Sequence, residues 1–170
     1  MYIYETASSS FDEVDALCAL LGPGAELYSR EEAPGYCLFS TRRALVDQKW
    51  NCADARTLFE TGRYGLAGGE YLFKVELWVP RASREELLTW YRDEHLPMLL
   101  ECSEWEGCRF YESVVTDGAR FYACHQLASK SALDSEERKA SRQTPWFDRL
   151  KVHDWFDEAF ARCLYRRLPR

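Results

Sequence analysis

The most restrictive feature of this chain is an alternation of side-chain character between Tyr71 and Val79. Every second residue is apolar. Because alternate side chains of a β-strand point to opposite faces, the segment predicts a half-buried strand. Pro80 ends the strand, since proline has no backbone N–H to offer a neighbouring strand.

A helix is predicted directly after this strand. Ser83 is suited to cap its first turn, where the carboxylates of Glu85 and Glu86 meet the positive end of the helix dipole. Pro97 removes a helical hydrogen bond and crowds the preceding turn, so the sequence predicts a kink or restart around Asp93 to His95.

Two strands and two helices are predicted between this helix and the last segment of the chain. Asp117-Gly118 tolerates positive φ and predicts a tight hairpin turn between strands at Arg109–Val115 and Ala119–Leu127. The polar run Ser131–Lys139 favours a helix, and Thr144-Pro145 is typical of the start of a second short helix.

The last segment, Phe156 to Leu168, fits a helix about as well as a strand. We assign it as a strand because the sheet needs an edge, which gives the order βαββαβ, the ferredoxin-like plan. The basic cluster in this region could hold an anion, but we favour its use as a charged strand edge that resists aggregation. It consists of Arg162, Arg166, Arg167 and Arg170.

The first part of the chain repeats the opening of this order. A strand is predicted at Tyr2–Thr6, and Ser10 with Glu13 has the spacing of a capping box at the start of a helix over Phe11–Leu21. The further predicted elements are strands at Ala25–Ser29 and Tyr36–Ser40 and a helix at Asn51–Glu60.

The glycine-rich stretch Thr61–Gly69 is the clearest internal boundary. It predicts a degenerate ferredoxin-like unit at residues 1–69 and a complete ferredoxin-like unit at 70–170. A chain of 170 residues can bury about 70% of its extended surface, so a sizeable core is expected. The two units share only an order of elements, and their fusion into an internal pseudo-dimer is therefore a hypothesis.

Composition excludes several classes of protein. With 46% apolar and 29% charged residues, the chain is globular rather than disordered or fibrous. No apolar run approaches the ~20 residues that span a bilayer, and Met1 to Ser10 lacks the features of a signal peptide, so we expect a cytoplasmic protein with no membrane partner. A net charge of −6 argues against nucleic acid as a partner.

The seven cysteines form no CxxC pair and match no zinc-binding spacing, so we interpret most of them as buried thiols and expect no metal site. The glycine-rich stretch lacks the nucleotide-binding motifs, and no serine hydrolase motif is present.

The predicted helix carries a short motif that makes the fold more specific. Tyr91-Arg92, His95, Pro97 and Gly107 stand in the order found in the EthD-like dimeric α/β-barrel families, and residues 70–167 resemble those proteins. The resemblance implies two four-stranded sheets facing each other, with a ligand cavity between each sheet and its own helices. Typical members are single units of about one hundred residues, so the first segment of this chain departs from the family pattern.

That architecture sorts the side chains of the strands. Phe73, Val75 and Leu77 should meet helices, whereas Lys74, Glu76 and Trp78 should face the partner sheet. The third strand divides similarly. Its helix-facing set is Phe121, Ala123, His125 and Leu127, and its other face holds Tyr122, Cys124 and Gln126.

His95, Tyr91 and His125 are the candidate catalytic residues, because two imidazoles and a phenol would converge on one apolar cleft and histidine titrates near neutral pH. The opposing interpretations are that His95 only caps carbonyls freed by the proline and that His125 is structural, which we favour for His125. His153 is interpreted as a surface residue. The candidate substrate-binding residues are Phe73, Val75, Leu88 and Phe121.

The resemblance implies cofactor-independent isomerase, cyclase or oxygenase-type chemistry on a hydrophobic aromatic or polyketide-like compound. We expect no cofactor, a hydrophobic small-molecule ligand and a homodimer as a compatible assembly. The alternative is a non-catalytic ligand-binding or stress-linked accessory protein. Tryptophans near the C-terminus, in Trp146-Phe147 and Trp155-Phe156, are interpreted as packing anchors rather than ligand contacts.

Overall fold

The strand predicted from the alternation lies near the middle of a nine-stranded antiparallel sheet in the computed structural model. The structure describes residues 1–7, 10–63, 69–115, 118–157 and 159–169, with the side chains at 114 and 115 left out. The strands are β1 (Tyr2–Thr6), β2 (Glu26–Arg30), β3 (Tyr36–Ser40), β4 (Trp50–Asp54), β5 (Arg56–Gly62), β6 (Tyr71–Pro80), β7 (Trp105–Val115), β8 (Gly118–Leu127) and β9 (Phe160–Arg167). The α-helices are α1 (Phe11–Leu21), α2 (Arg84–Trp90), α3 (Leu96–Leu100), α4 (Glu136–Ala140) and α5 (Pro145–Lys151).

The second unit has the predicted βαββαβ order. Its strands lie in the order β9-β6-β8-β7, and the helices follow β6 and β8. Strands β7 and β8 pair continuously up to Val115 opposite Gly118, which confirms the hairpin, although residues 116 and 117 of its turn lie outside the described residues. A short 3-10 helix at Lys130–Asp134 and α4 together occupy the predicted polar helix.

The first unit has the same strand order, β4-β1-β3-β2, but its described residues form only one helix. The predicted helix over Asn51–Glu60 is wrong, because β4 and β5 occupy that segment. β4 pairs with β1 and β5 pairs with β7, so this stretch completes the hydrogen bonds of two strand edges. A helix of ten residues is marginal in water, and the two edges offer it more hydrogen bonds than it could make alone.

The chain closes its two half-sheets on both sides. On one side β2 pairs with β9. On the other side, β4 and β5 form one strand bent at Ala55. The Ala55 N–H donates a hydrogen bond to the Met1 carbonyl, and the Met1 amino group donates one to the Ala55 carbonyl. The result is a barrel built from two fused ferredoxin-like units.

The predicted division of strand faces is confirmed. Phe73, Val75 and Leu77 belong to the core under the helices of the second unit. A separate core lies between the half-sheets and contains Tyr122 and Cys124. Trp78 lies at the rim rather than inside the barrel, with 43% of its surface exposed.

The final strand is confirmed, but it is not an edge. β9 lies between β2 and β6 in the middle of the sheet, so the basic residues along it do not protect an open edge. Arg166 forms an exposed ion pair with Glu70, whereas Arg162 lines a cavity between the sheet and the helices of its own unit.

Five of the seven cysteines are buried and two are not, and all are free thiols. The prediction that most are buried is confirmed. Within the described ranges no helix is both long and apolar enough to cross a membrane.

An ion cluster joins the two units inside the barrel. Lys74 on β6 is only 3% exposed, and its Nζ lies 2.5 Å from a carboxylate oxygen of Glu5 on β1 and 3.4 Å from Glu76. Glu5 also accepts a hydrogen bond from the Tyr165 hydroxyl at 2.6 Å. A buried cation so placed holds two carboxylates that would otherwise repel each other.

We predict that Lys74→Met lowers the free energy of unfolding by about 3 kcal/mol, because it leaves Glu5 and Glu76 without their cation. Adding Glu5→Gln should recover part of this loss. The measurement is denaturant unfolding, with Lys49→Met as the matched control, since Lys49 pairs with Glu13 at the exposed surface. Equal losses in the single and double variants would contradict this account of the cluster.

Candidate functional site

The helix that follows β6 is irregular where a kink or restart was predicted, around Asp93 to His95. α2 passes into a π-helical turn at Tyr91–His95, and α3 continues from Leu96 with Pro97 in its first turn. Proline cannot donate to a carbonyl of the preceding turn, and a wider turn accommodates that loss without breaking the helix. Tyr91 and His95 are both buried on the inner side of this turn.

Glu94 fixes the turn against the last helix. One of its carboxylate oxygens accepts hydrogen bonds from Trp90 Nε1 at 3.0 Å and from the Thr144 hydroxyl at 2.5 Å. Thr144 Oγ1 also accepts from the backbone N–H of Phe147, which confirms it as the cap of α5. Ser83 makes no such cap at α2, and its hydroxyl instead accepts from Trp155 Nε1.

A chain of three buried side chains crosses the floor beneath this helix. Trp105 Nε1 lies 3.1 Å from His125 Nδ1, and His125 Nε2 lies 2.8 Å from the Tyr91 hydroxyl. An indole nitrogen can only donate, so His125 Nδ1 must accept. The neutral imidazole therefore carries its proton on Nε2 and donates to Tyr91.

This direction leaves the proton of the Tyr91 hydroxyl available. The phenol oxygen accepts from His125, and among the described residues no acceptor takes its own proton. Burial, followed by the influence of the Cys108 thiol, holds the pKa of Tyr91 well above its usual value, so the phenol stays protonated. The Tyr91 hydroxyl can therefore donate a hydrogen bond to a ligand.

His125 stays neutral. Burial is the main cause that lowers its pKa well below the usual value, and the nearby charges of His95 and Arg138 act in the same direction. A proton on Nδ1 would also oppose the N–H of Trp105. His125 therefore acts through Tyr91, as a positioning residue.

His95 presents the complementary group. It is 9% exposed and its ring stacks on Trp90 with 4.4 Å between ring centroids. Its Nδ1 has no hydrogen-bond partner among the described residues. Burial lowers the pKa of His95 to about 3, a hydrogen bond to the backbone of Ser141 raises it in part, and the charges of Arg142 and Arg138 lower it further.

Because Nδ1 has no partner, we assign the single proton of the neutral ring to Nε2, where the backbone of Ser141 would favour it. Nδ1 is left with an unused lone pair in a buried position, where an unmade hydrogen bond is costly. The site therefore holds one unused donor, on Tyr91, and one unused acceptor, on His95.

Both groups line one cavity between β6, β8 and the helices. The cavity holds about 480 Å³ of unoccupied space when its opening to solvent is included, and its enclosed part is narrow. Its walls are mainly aromatic. They include Trp90, Trp105, Phe147, Phe156 and Phe160, together with three arginines at the mouth.

Most of the predicted site residues meet at this cavity. His95, Tyr91, His125, Phe73 and Val75 line it. Leu88 and Phe121 do not: Leu88 packs against the core at its margin, and Phe121 is fully buried. Leu88 and Phe121 therefore do not belong to the cavity wall.

Sequence reasoning missed several lining residues. Phe147, Phe156 and Phe160 belong to the cavity wall as well as to the packing of α5 and β9. The sequence pattern assigns Arg162 to a strand edge, places Arg138 within the polar run Ser131–Lys139, and gives Arg142, which follows that run, no role. The alternation of β9 places Arg162 on the side of Phe160, and that signal was available once the strand was assigned.

The described residues contain no group of three or more His, Cys, Asp or Glu placed to hold a metal ion. His153 lies away from the cavity, half-exposed beside Glu86.

Solved structures share this fold over nearly the whole chain. An anthrone oxidase-like protein matches with a TM-score of 0.66 at 10% identity, over 99% of this chain and 90% of its own. A monooxygenase-like protein from Listeria innocua matches with 0.65 at 11% identity, over 99% and 94%. A heme-degrading enzyme from Listeria monocytogenes matches with 0.63 at 10% identity, over 98% and 99%.

At such identities the similarity shows the fold alone. It confirms the ferredoxin-like α/β-barrel architecture in a single fused chain, as in a ferredoxin-fold protein from Listeria monocytogenes that is related to antibiotic biosynthesis monooxygenases. No protein-family model matches the sequence, and no curated protein matches it.

The buried histidine makes stability depend on pH. The pKa of His95 is lowered on folding to about 3, so the unfolded chain binds the extra proton, and its stability contribution is lost as pH falls below the unfolded pKa of about 6.5. Between pH 6.5 and 5 we expect His95 alone to account for about 1.5 kcal/mol of lost stability.

His95→Gln should remove that part of the pH dependence, whatever it does to stability at pH 7. The measurement is urea unfolding of both proteins at four values of pH between 5 and 7. If the two pH dependences run parallel, His95 is not held neutral by the fold.

Proposed function

We propose that this protein is an enzyme that oxidises a hydrophobic aromatic compound with dioxygen and without a bound cofactor. The observation that carries the proposal is the pairing, in one aromatic cavity, of an unused phenol proton on Tyr91 with an unused imidazole lone pair on His95. A substrate with an acidic C–H next to a carbonyl fits both groups. The names of the structural neighbours, monooxygenase-like and anthrone oxidase-like, support oxygenase-type chemistry.

The first step is a proton transfer. His95 Nδ1 takes the proton from the substrate carbon, and the electron pair moves onto the carbonyl oxygen, which accepts a hydrogen bond from Tyr91. The product of this step is an enolate or phenolate beside an imidazolium. Because the Tyr91 hydroxyl is already oriented by His125, it needs no reorganisation as the charge develops.

Dioxygen then accepts the electrons of this anion. The carbanion carbon forms a bond to oxygen, and the imidazolium gives its proton to the resulting peroxide anion. As the O–O bond breaks, the electron pair of the second C–H bond forms the carbonyl, and its proton joins the departing hydroxide as water. A methylene and dioxygen thus give a carbonyl and water, with all atoms accounted for. Aromatic walls hold a planar substrate and exclude water from the anion.

The low basicity of His95 limits which substrates can react. A pKa of about 3 means that protonating this ring at pH 7 costs about 5 kcal/mol. The cost is offset only when the anion just formed stays beside the ring. His95 therefore favours substrates whose charge is delocalised within the cavity, and it remains an acceptor in the resting protein.

The same low basicity favours a second candidate function. A non-catalytic protein would use His95 as an acceptor and Tyr91 as a donor to hold a hydroxy-aromatic ligand. Turnover separates the two candidates.

We also propose that the chain is related to the EthD-like proteins, which the helix motif supports, and that the boundary between residues 69 and 70 divides the two units. We further propose that the protein is located in the cytoplasm and that whole barrels can form a homodimer, which is compatible with the closed sheet.

We predict that the protein accelerates the oxidation of anthrone to anthraquinone, followed by dioxygen consumption and absorbance. His95→Gln should lower the rate at least 100-fold, in the range for loss of a general base, and Tyr91→Phe should lower it about 100-fold, because one hydrogen bond to the oxyanion is lost.

His153→Gln is the matched control, since it removes a histidine outside the cavity, and it should leave the rate unchanged. Tight binding of anthrone without turnover would assign the protein to the ligand-binding class. Equal rates in wild type and His95→Gln would remove His95 from the chemistry.

A further inference from the structure

Three arginines stand at the mouth of the cavity. Arg138 is on α4, Arg142 follows that helix, and Arg162 is on β9, so separate segments bring the three to one place. Lys151 and Asp157 line the adjoining outer part of the opening. The mouth therefore carries four positive charges and one negative charge, in a protein whose net charge is −6.

These three arginines lack the carboxylate partners that several other arginines of the chain have. Arg84 and Arg109, for example, form ion pairs with buried or half-buried carboxylates. Within the described part of the chain no carboxylate lies within ion-pair distance of Arg138, Arg142 or Arg162. The guanidinium of Arg138 donates to the carbonyl of Leu133.

The aromatic walls lie directly beneath these charges. The Arg138 guanidinium lies 5.6 Å from the centroid of the Phe73 ring, and that of Arg162 lies 4.7 Å from Phe160. Arg138 and Arg162 are thus held beside the aromatic wall, and neither forms an ion pair with a carboxylate of the described residues. Guanidinium groups are suited to bind a carboxylate through two parallel hydrogen bonds.

The charges disfavour one another in the empty protein. Burial is the first cause that lowers the pKa of Arg138 and of Arg162, and the charge of Arg142 lowers both further. An anion at this position would relieve that repulsion. It would also offset the effect of Arg142 and Arg138 on His95, whose pKa would then rise and make the ring a better base.

We propose that the mouth is a carboxylate-binding subsite and that the ligand is a planar aromatic acid, with its rings between Phe73 and Trp90 and its carboxylate on Arg138, Arg142 and Arg162. The proposal deepens the proposed function, since it names the substrate class of the same cavity. It concerns binding, so it can be tested without turnover.

The test compares two probes of the same shape, 2-naphthoate and its neutral amide, 2-naphthamide. Binding is followed by the fluorescence of Trp90 and Trp105 in the cavity wall and by calorimetry. We expect 2-naphthoate to bind at least tenfold more tightly than 2-naphthamide in low salt, with the difference shrinking as salt is added.

Arg162→Gln should reduce the preference for the acid to less than threefold and leave binding of the amide unchanged. Arg166→Gln is the matched control, because it removes an arginine from the same strand that pairs with Glu70 on the surface, and it should retain the preference. Arg142→Gln, outside the sheet, gives a second test that does not depend on the stability of β9.

Several results would overturn the subsite. These are equal binding of the two probes, equal losses in Arg162→Gln and Arg166→Gln, or no binding of either probe. In the first case the cavity and the proposed chemistry would stand without an anionic substrate. Failure of anthrone oxidation with a retained preference for 2-naphthoate would instead reject neutral anthrone as a substrate and keep the subsite.

Discussion

Trp105 can only donate a hydrogen bond, and its contact with His125 sets the direction of the hydrogen bonds that run from Trp105 to Tyr91 beneath the helix. The indole makes His125 an acceptor at Nδ1 and a donor at Nε2, His125 makes Tyr91 an acceptor, and Tyr91 keeps its own proton for a ligand. The three groups are buried on β7, β8 and the π turn, so the sheet and the helix must be in register for the chain of bonds to exist. Packing and polarity are thus coupled at one place.

The fused barrel explains why a single chain can carry such a site. Alone, each half-sheet would have open edges. In the fused chain β2 pairs with β9, β4 pairs with β1 and β5 pairs with β7, and these pairs complete the hydrogen bonds of the edges. The first unit therefore supplies hydrogen bonds to the open edges and Glu5 to the ion cluster around Lys74, while the second unit, with all its helices, holds the cavity. The unit with fewer helices acts as a closing partner, which is the arrangement that a two-chain barrel would obtain by association.

The sequence predicted local features well where the pattern was strong. The alternation of β6, the hairpin at Asp117-Gly118 and the irregular turn before Pro97 were each set by nearby residues. The helix predicted over residues 51–60 was wrong, because the conformation of this segment depends on pairing with two distant strand edges. Nothing in the local sequence indicates those edges. His95 and Tyr91 could be placed because a helical spacing of four brings them to one side. The three arginines could not be placed together at the mouth of one cavity, because α4 and β9 come together only in the tertiary fold.

The direction of hydrogen bonding at His125 is the most direct test of this account. Ring nitrogen shifts from ¹⁵N NMR of the histidine-labelled protein distinguish the two neutral tautomers and the imidazolium. The account predicts that His125 is neutral with its proton on Nε2, and that it stays so from pH 7 to pH 5. A proton on Nδ1, or a titration near pH 6.5, would contradict it, because Tyr91 would then have to donate to the imidazole and would have no proton to offer a ligand.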